Sequence, residues 1–256
     1  QIPERSSEAI FLGGICLNWG CIPTKSLLKS AQVFEYINHA ADYGIKINGE
    51  ATADFGSVIQ RSRNVAEGMS KGISFLFRKN NIEHIKGFGR LAGKGRVEVT
   101  DAVGEKKTYS AKHIIVATGA RSKELPGLKQ DGKKIIGYRE AMSLPVQPRS
   151  MVIVGSGAIG SEFAYFYQTM GTQVTLVEMF PNIIPLEDEE VSKQLEKNFK
   201  KMKMKILTGS TVESADITGE MVRVNIKTPK GTETVEADIV FSAAGVTTNI
   251  EGIGLE

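Results

Sequence analysis

The chain contains two cysteines, Cys16 and Cys21, and four residues separate them. A disulfide between them would close a very short loop, which removes little entropy from the unfolded chain compared with a long-range cross-link. The pair therefore suits reversible redox chemistry better than structural bracing. Two neighbouring small hydrophobic residues in a core would show the same spacing, so the spacing alone leaves both interpretations open.

The residues around the pair indicate how a thiolate would be stabilised. Glycines flank the cysteines and Pro23 suits the first turn of a helix, so we expect Cys21 at or just before a helix N-terminus. Unpaired N–H groups and the positive dipole end favour a thiolate there. A metal site is disfavoured, because zinc takes four ligands and the chain offers beyond the cysteines only three scattered histidines, His39, His84 and His113.

A glycine-rich turn in the second half of the chain indicates nucleotide binding. It follows the aliphatic run 151–154 and precedes a helical pattern, which is the context that gives G-x-G-x-x-G its meaning. The turn consists of Gly155, Ser156, Gly157, Ala158, Ile159 and Gly160. Its glycines allow a tight turn, the approach of a pyrophosphate and close helix packing. Glu178 ends the next strand pattern, where a carboxylate binds ribose hydroxyls and favours NAD over NADP, although a solvated strand-end acid is the alternative.

The elements that would position these sites alternate between helix and strand patterns. Apolar periodicity predicts helices over 22–39, from Asp54 as the cap to 77, near 139–144, from about 160 to 170, and over 188–203. Strands are predicted at 82–85, 96–100, 107–109, 113–120, 151–154, 173–178, 205–208 and 238–245, with a hairpin-like pair over 211–228 and 232–235. The aliphatic run 113–120 is expected to be buried on both faces.

Composition fits a globular enzyme with two α/β units. The chain has 256 residues, 41% hydrophobic and 24% charged, and a net charge of +3, which gives no reason to invoke nucleic acid or a membrane surface. No apolar run approaches the roughly 20 residues of a membrane span, and no signal peptide opens the chain. The scarcity of cysteine favours a reducing cytoplasm. We expect a first unit over 1–145 and a second over 146–256, joined through the Pro- and Gly-rich region 121–150.

Residues 13–25, GGICLNWGCIPTK, resemble the active-site segment of the pyridine nucleotide-disulfide oxidoreductases almost residue for residue. The resemblance implies two Rossmann-like three-layer nucleotide-binding domains, a partial FAD domain and an NAD domain. It assigns substrate exchange to Cys16, the flavin contact to Cys21, an FAD contact to Lys25, and to Glu162 a place by flavin and nicotinamide, paired with that lysine. It adds FAD contacts at Gly13, Gly14, Gly89, Thr118, Gly119 and Ala120.

The same resemblance places Val212 and Gly245 in the NAD site, although a core valine and a turn glycine would look the same in the sequence. The segment 245–250 also lacks the arginine and proline that are common in the family after this glycine. Without the resemblance, the sequence would indicate only that Glu162 is an exposed acidic residue of a helix.

The reaction implied is the oxidation of dihydrolipoamide by NAD through FAD and a Cys16–Cys21 disulfide. Expected partners are the lipoyl domain of a 2-oxoacid dehydrogenase or glycine cleavage complex, and a second identical subunit. Residues 1–12 lack the family's opening strand and first glycine-rich turn, and the family continues past residue 256 with an FAD-binding aspartate segment and a His-Glu pair. We therefore expect the chain alone to bind NADH but to turn over poorly. Two alternatives stay open: another disulfide or mercuric reductase of this family, and a non-catalytic NAD-binding fragment.

Overall fold

The computed structural model describes residues 12–255. Its α-helices are α1 (Gly14–Trp19), α2 (Cys21–Asn38), α3 (Phe55–Lys79), α4 (Tyr138–Ala141), α5 (Ala158–Thr169) and α6 (Glu189–Lys201), and a 3₁₀ helix spans Ala40–Tyr43. Its strands are β1 (Phe88–Leu91), β2 (Arg96–Thr100), β3 (Lys106–Ser110), β4 (Ala120–Ser122), β5 (Ile135–Ile136), β6 (Ser150–Val154), β7 (Gln173–Val177), β8 (Lys205–Leu207), β9 (Thr211–Asp216), β10 (Val222–Thr228), β11 (Gly231–Ala237), β12 (Ile239–Ser242) and β13 (Val246–Thr248).

A five-stranded parallel sheet with the order β5-β12-β6-β7-β8 forms the centre of the second half. The aliphatic residues of β6 and β7 are buried, as expected for strands covered on both faces. From β6 the chain proceeds through α5 to β7 on one side, whereas β12 lies on the other side. The carboxyl end of β6 is therefore a topological switch point, where open α/β sheets bind ligands.

Two hydrophobic clusters cover the two faces of this sheet. One joins the sheet to helices and contains aromatic residues of α5, among them Phe163, Phe166 and Tyr167. The other lies between the sheet and the antiparallel sheet β11-β10-β9, through residues such as Val152, Val224 and Val240. The result is the three-layer arrangement expected for the second unit, and it confirms the predicted α/β fold class.

The first half contributes two long helices that pack on the second. Asp54 caps α3 as predicted, because its carboxylate accepts a hydrogen bond from the backbone N–H of Ser57 at 3.0 Å. Leu27 and Ala31 of α2 are fully buried and belong to the same cluster as Phe55 of α3 and Phe163 of α5. The helix that begins at Cys21 therefore packs directly against the helix that follows the glycine-rich turn.

The end of the described chain returns to the first half. Strand β13 pairs antiparallel with β4, and the backbone N–H of Leu91 in β1 donates to the carbonyl of Ile253 at 2.7 Å. In the other direction, β5 precedes residue 146 yet pairs with β12 in the central sheet. The division at residues 145 and 146 stays a prediction, and these two exchanges show that each half contributes a strand to the other.

Three sequence predictions about strands were wrong. Residues 113–119 form no strand, and the side chain of Ile115 is 90% exposed. A strand buried on both faces needs a strand on each side, and no strand among residues 12–255 pairs with residues 113–119. Residues 82–85 are also irregular. The predicted hairpin is a three-stranded meander, because Asp216 accepts a hydrogen bond from the Thr218 N–H at 2.9 Å and forms a turn that divides 211–228 into β9 and β10.

Candidate functional site

The two cysteines lie on either side of a break between two helices. Cys16 is in α1, Gly20 connects the helices, and Cys21 is the first residue of α2, as the sequence predicted. Both cysteines are exposed free thiols. A hydrogen bond with Cys21, together with slight desolvation, raises the pKa of Cys16 above its usual range. The thiols are therefore close enough to interact and open to a reaction partner.

Glycines allow the two helices to meet at this break. Gly13 has φ +112°, and a Cβ atom there would lie 2.7 Å from Cδ1 of Leu17. At Gly20, a Cβ atom would lie 3.1 Å from the carbonyl oxygen of Ile15 and 3.2 Å from Cα of Cys16. Gly14, with φ +63°, has open space in front of it. A larger residue at Gly20 would push against α1 at the break, and a larger residue at Gly13 would strain the start of α1.

An ion pair connects the thiol helix with the helix of the glycine-rich turn. Nζ of Lys25, one turn after Cys21, lies 2.5 Å from Oε1 of Glu162 in α5. The pairing of these two residues, 137 positions apart, is therefore confirmed, while their catalytic roles stay predictions. The side chains are 61% and 29% exposed, so the contact orients the groups more than it stabilises the fold.

A second polar contact joins the same two helices and was not predicted. The hydroxyl of Tyr165, three residues after Glu162, donates to Oε2 of Glu35 in α2 at 2.6 Å. Burial and this hydrogen bond raise the pKa of Tyr165, so the phenol stays a donor. The i,i+3 spacing from Glu162 places Tyr165 on the same helix face, and that spacing was the signal in the sequence.

The glycine-rich turn has the geometry that its sequence pattern requires. Gly155 has φ +98°, and a Cβ atom there would lie 2.8 Å from the carbonyl oxygen of Ala243, beyond the end of β12. A Cβ atom at Gly160 would overlap the carbonyl oxygen of Gly155. Gly157 differs, because no described residue beyond its chain neighbours has an atom within 4 Å of such a Cβ. Gly157 is the N-cap of α5 and supplies no side-chain cap, and the N–H groups of a helix N-terminus are favourable partners for an anion.

Glu178 lies beside this turn and is engaged by it. Its Oε2 accepts hydrogen bonds from the backbone N–H and the hydroxyl of Ser156 at 2.8 and 2.7 Å, and Oε1 accepts from the N–H of Phe180 at 3.0 Å. The side chain is only 5% exposed. A carboxylate has about four acceptor positions, so roughly one remains for a ribose hydroxyl. The predicted ribose contact stays a prediction that this geometry permits.

The remaining predicted contact residues fall into two groups. Thr118 and Gly119 lead into β4, Ala120 is its first residue, and Gly245 precedes β13, so the pairing of these strands brings the two segments together. The carbonyl oxygen of Gly245 accepts from the N–H of Lys123 at 3.0 Å, which joins them further.

Gly89 and Val212 lie in strands instead. Gly89 is an exposed residue of β1 with room for a side chain, whereas its neighbour Gly87, with φ +151°, has none, since a Cβ atom there would lie 2.5 Å from Val99. The side chain of Val212 packs in the core cluster under the central sheet, so only its backbone is available to a ligand. Ligand contacts at all of these positions stay predictions.

Neither a metal-binding cluster nor a membrane-spanning helix is found in the part of the chain that the structure describes. No group of three or more His, Cys, Asp or Glu residues between positions 12 and 255 could hold a metal ion. Across the same residues, no helix is both long and apolar enough to cross a lipid bilayer.

The fold and site together define a class of protein: a doubly wound nucleotide-binding unit with an adjoining helix that begins at a dithiol. The chain belongs to the pyridine nucleotide-disulphide oxidoreductase family, which matches residues 6–256. Proteins named "Dihydrolipoyl dehydrogenase" from Rhizobium etli and Zymomonas mobilis are 42% and 44% identical to it over 97% of this chain. These alignments cover 55% and 53% of the relatives, so the chain spans about half of their length.

Two solved structures share the fold of this chain over most of its length. The crystal structure of LpdA from Mycobacterium tuberculosis superposes with a TM-score of 0.86 at 26% identity, over 97% of this chain and 54% of that one. The flavoprotein disulfide reductase RclA from Escherichia coli, at 23% identity, shares the fold with a TM-score of 0.78 over 95% of this chain and 50% of its own.

Proposed function

We propose that this chain carries the dithiol and the nucleotide-binding unit of a flavin-dependent disulfide oxidoreductase that oxidises dihydrolipoyl groups with NAD. One observation carries the proposal: helix α2 begins at Cys21 and is joined by Lys25 to Glu162, two residues beyond the glycine-rich turn. The helix of the cysteine pair therefore contacts the helix of the glycine-rich turn, which supports a site that combines thiol redox chemistry with nucleotide binding. The names of the curated relatives support the dihydrolipoyl substrate.

The chemistry of the cysteines is thiol–disulfide exchange. With the pair oxidised, a thiolate of the substrate dithiol attacks Sγ of Cys16, forms a mixed disulfide and releases Cys21 as thiolate. The second thiol of the substrate then attacks the substrate sulfur that is bonded to Cys16, and Cys16 leaves as a thiolate. Two electrons pass from the substrate, which becomes the cyclic disulfide, to the enzyme pair. The exposure of both sulfurs supports access by a substrate.

The residues present fit the two cofactors of this chemistry. The open space at Gly157 and the uncapped N-terminus of α5 suit a pyrophosphate, and Glu178 retains an acceptor for ribose. On the flavin side, Gly14, Lys25 and Gly119 are exposed and open to a ligand. Bound FAD would supply an acceptor for the electrons of Cys21, and NAD⁺ would carry them away as a hydride.

Partners and location belong to the same proposal. A dihydrolipoyl substrate implies the lipoyl domain of a 2-oxoacid dehydrogenase or glycine cleavage complex, and we propose a homodimer for the whole protein. A chain with a single close pair of cysteines is typical of a reducing compartment, which supports a cytoplasmic location. Weak turnover by the 256 residues alone also stays a prediction.

Exposing the oxidised protein to different reductants separates the candidate functions. We would incubate it with dihydrolipoamide or with reduced glutathione, alkylate the free thiols, and follow Cys16 and Cys21 by mass spectrometry. We expect dihydrolipoamide to reduce the pair fastest. Faster reduction by glutathione would favour another disulfide reductase. Failure of both reductants, with NADH binding intact, would favour a non-catalytic nucleotide-binding fragment.

A further inference from the structure

Trp19, the only tryptophan of the chain, lies between the cysteines and contacts side chains from two further helices. The guanidinium carbon of Arg63 in α3 is 4.2 Å from the centroid of its ring, and that of Arg139 in α4 is 5.5 Å away. Both distances are within the range of cation–π attraction. The ring also packs against the buried cluster that contains α2 and α5. A residue three positions after Cys16 and two before Cys21 is thus anchored to two helices, α3 and α4, that lie far apart in the sequence.

Arg63 makes a second contact with the same segment. Its Nη2 donates to the backbone carbonyl of Asn18 at 2.5 Å. Asn18 is in the last turn of α1, where carbonyl groups lack partners within the helix and a cation is favourable. The side chain of Asn18 is itself fixed, because its amide donates to the carbonyls of Leu12 and Gly14 at 3.1 Å. Arg63 therefore caps a helix whose start and end are both held.

The position of the Arg63 guanidinium is costly for the protein. Its Nη1 is buried and has no hydrogen-bond partner among residues 12–255, and burial lowers the pKa of the group. A buried donor without a partner destabilises the folded state unless other contacts compensate. Here the compensating contacts are the Trp19 ring and the Asn18 carbonyl, and both belong to the segment between the two cysteines.

We propose that Arg63 is a positioning residue for the redox pair: it holds α1, and with it Cys16, at the distance from Cys21 that disulfide formation requires. The inference rests on the proposed redox role of the cysteines. A disulfide tolerates only a narrow range of Cα separations and dihedral angles. The two cysteines are on different helices joined through Gly20 alone, so the orientation of α1 decides whether the sulfurs meet.

The test measures the equilibrium between dithiol and disulfide in the folded chain. The protein is equilibrated in buffers of reduced and oxidised dithiothreitol, quenched with acid and alkylated, and the oxidised fraction is read by mass spectrometry. In the reaction, one cysteine thiolate opens the cyclic disulfide of oxidised dithiothreitol and forms a mixed disulfide. The second cysteine then attacks the first cysteine sulfur and releases reduced dithiothreitol. Two electrons and two protons pass to dithiothreitol. Because the chain has no other cysteine, the readout concerns this pair alone.

We would compare Arg63→Gln with Arg78→Gln, a matched loss of charge at an exposed position near the end of the same helix. Arg63→Gln should lower the equilibrium constant for disulfide formation about tenfold, and Arg78→Gln should leave it within about twofold, as losing one charge-assisted hydrogen bond and one cation–π contact implies. Arg63→Lys keeps the charge but not the planar stacking group, so it should recover part of the loss.

Fluorescence provides a second readout at the same place. Quenching of Trp19 by acrylamide should increase in Arg63→Gln and stay unchanged in Arg78→Gln. An unchanged equilibrium constant in folded Arg63→Gln, whatever happens to its melting temperature, would overturn the inference and leave Arg63 a structural anchor. If Arg63→Gln does not fold, an unchanged constant in Arg63→Ala would overturn it in the same way. A starting protein that forms no disulfide in any buffer would contradict the proposed function itself.

Discussion

Glu178 is held by the turn that it is expected to serve. Ser156, the residue between the first two glycines, supplies two of its three hydrogen bonds, so the carboxylate is preorganised before any nucleotide binds. A preorganised carboxylate at the end of β7 favours a ribose with free hydroxyls and repels a 2′-phosphate.

We expect NADH to bind more tightly than NADPH, and Glu178→Gln to narrow the difference by roughly tenfold, because the charge is lost. Ser156→Ala should weaken NADH binding by about three- to tenfold, because Glu178 loses the hydrogen bond from the Ser156 hydroxyl, while the carboxylate keeps its preference for NADH. Fluorescence titration with both nucleotides measures the dissociation constants. Equal affinities in the unsubstituted protein would argue against this role of Glu178.

The thiols offer a prediction about pH. The hydrogen bond with Cys21 raises the pKa of Cys16, so at a given pH less Cys16 is thiolate and its alkylation is slower. Cys21→Ala removes that cause, so the inflection of Cys16 alkylation against pH should move to lower pH. Cys21→Ser keeps a hydrogen-bonding group and should shift it less. Identical profiles for the two variants would show that the contact between the thiols does not control Cys16.

At the scale of the elements, substitution by alanine at two glycines of one turn should separate stability from nucleotide binding. Gly160→Ala places a methyl group on the Gly155 carbonyl and should destabilise the protein by about 2 kcal/mol or more. Gly157→Ala meets open space and should change the free energy of unfolding by less than about 1 kcal/mol, yet weaken NADH binding. Urea unfolding and NADH titration of both variants check this pair. A Gly157→Ala variant with unaltered NADH affinity would place the pyrophosphate elsewhere.

Local signals were sufficient to predict many elements. The start of α2 at the cysteine–proline segment, the Asp54 cap of α3 and the β6–α5–β7 unit around the glycines were all predicted, because caps and periodicity are encoded within a few residues. The prediction of a strand at 113–120 was wrong because burial of a strand depends on neighbouring strands, which an aliphatic run does not specify. The Arg63–Trp19 contact joins residues far apart in the chain, and no local pattern reveals it. For Tyr165, the spacing from Glu162 indicates the helix face but not the partner Glu35.

At the scale of the whole molecule, the two halves share one core. Leu27 of the thiol helix is fully buried among residues of α5 and the central sheet, so the described halves should unfold together. Leu27→Ala should cost about 2–5 kcal/mol, and Val33→Ala, at a 45% exposed position of the same helix, much less. Trp19 fluorescence and far-UV circular dichroism should report coincident transitions. Separate transitions would mean that the halves are independent units.

The most direct test of the redox assignment counts thiols. Oxidised, folded protein should contain no thiol that reacts with an alkylating reagent, and stoichiometric dihydrolipoamide should expose two, which peptide mass spectrometry should locate at Cys16 and Cys21. Serine at either position should remove the disulfide and leave one thiol reactive throughout. Two freely alkylated cysteines in the folded protein after oxidation, with no disulfide between them, would contradict the redox function.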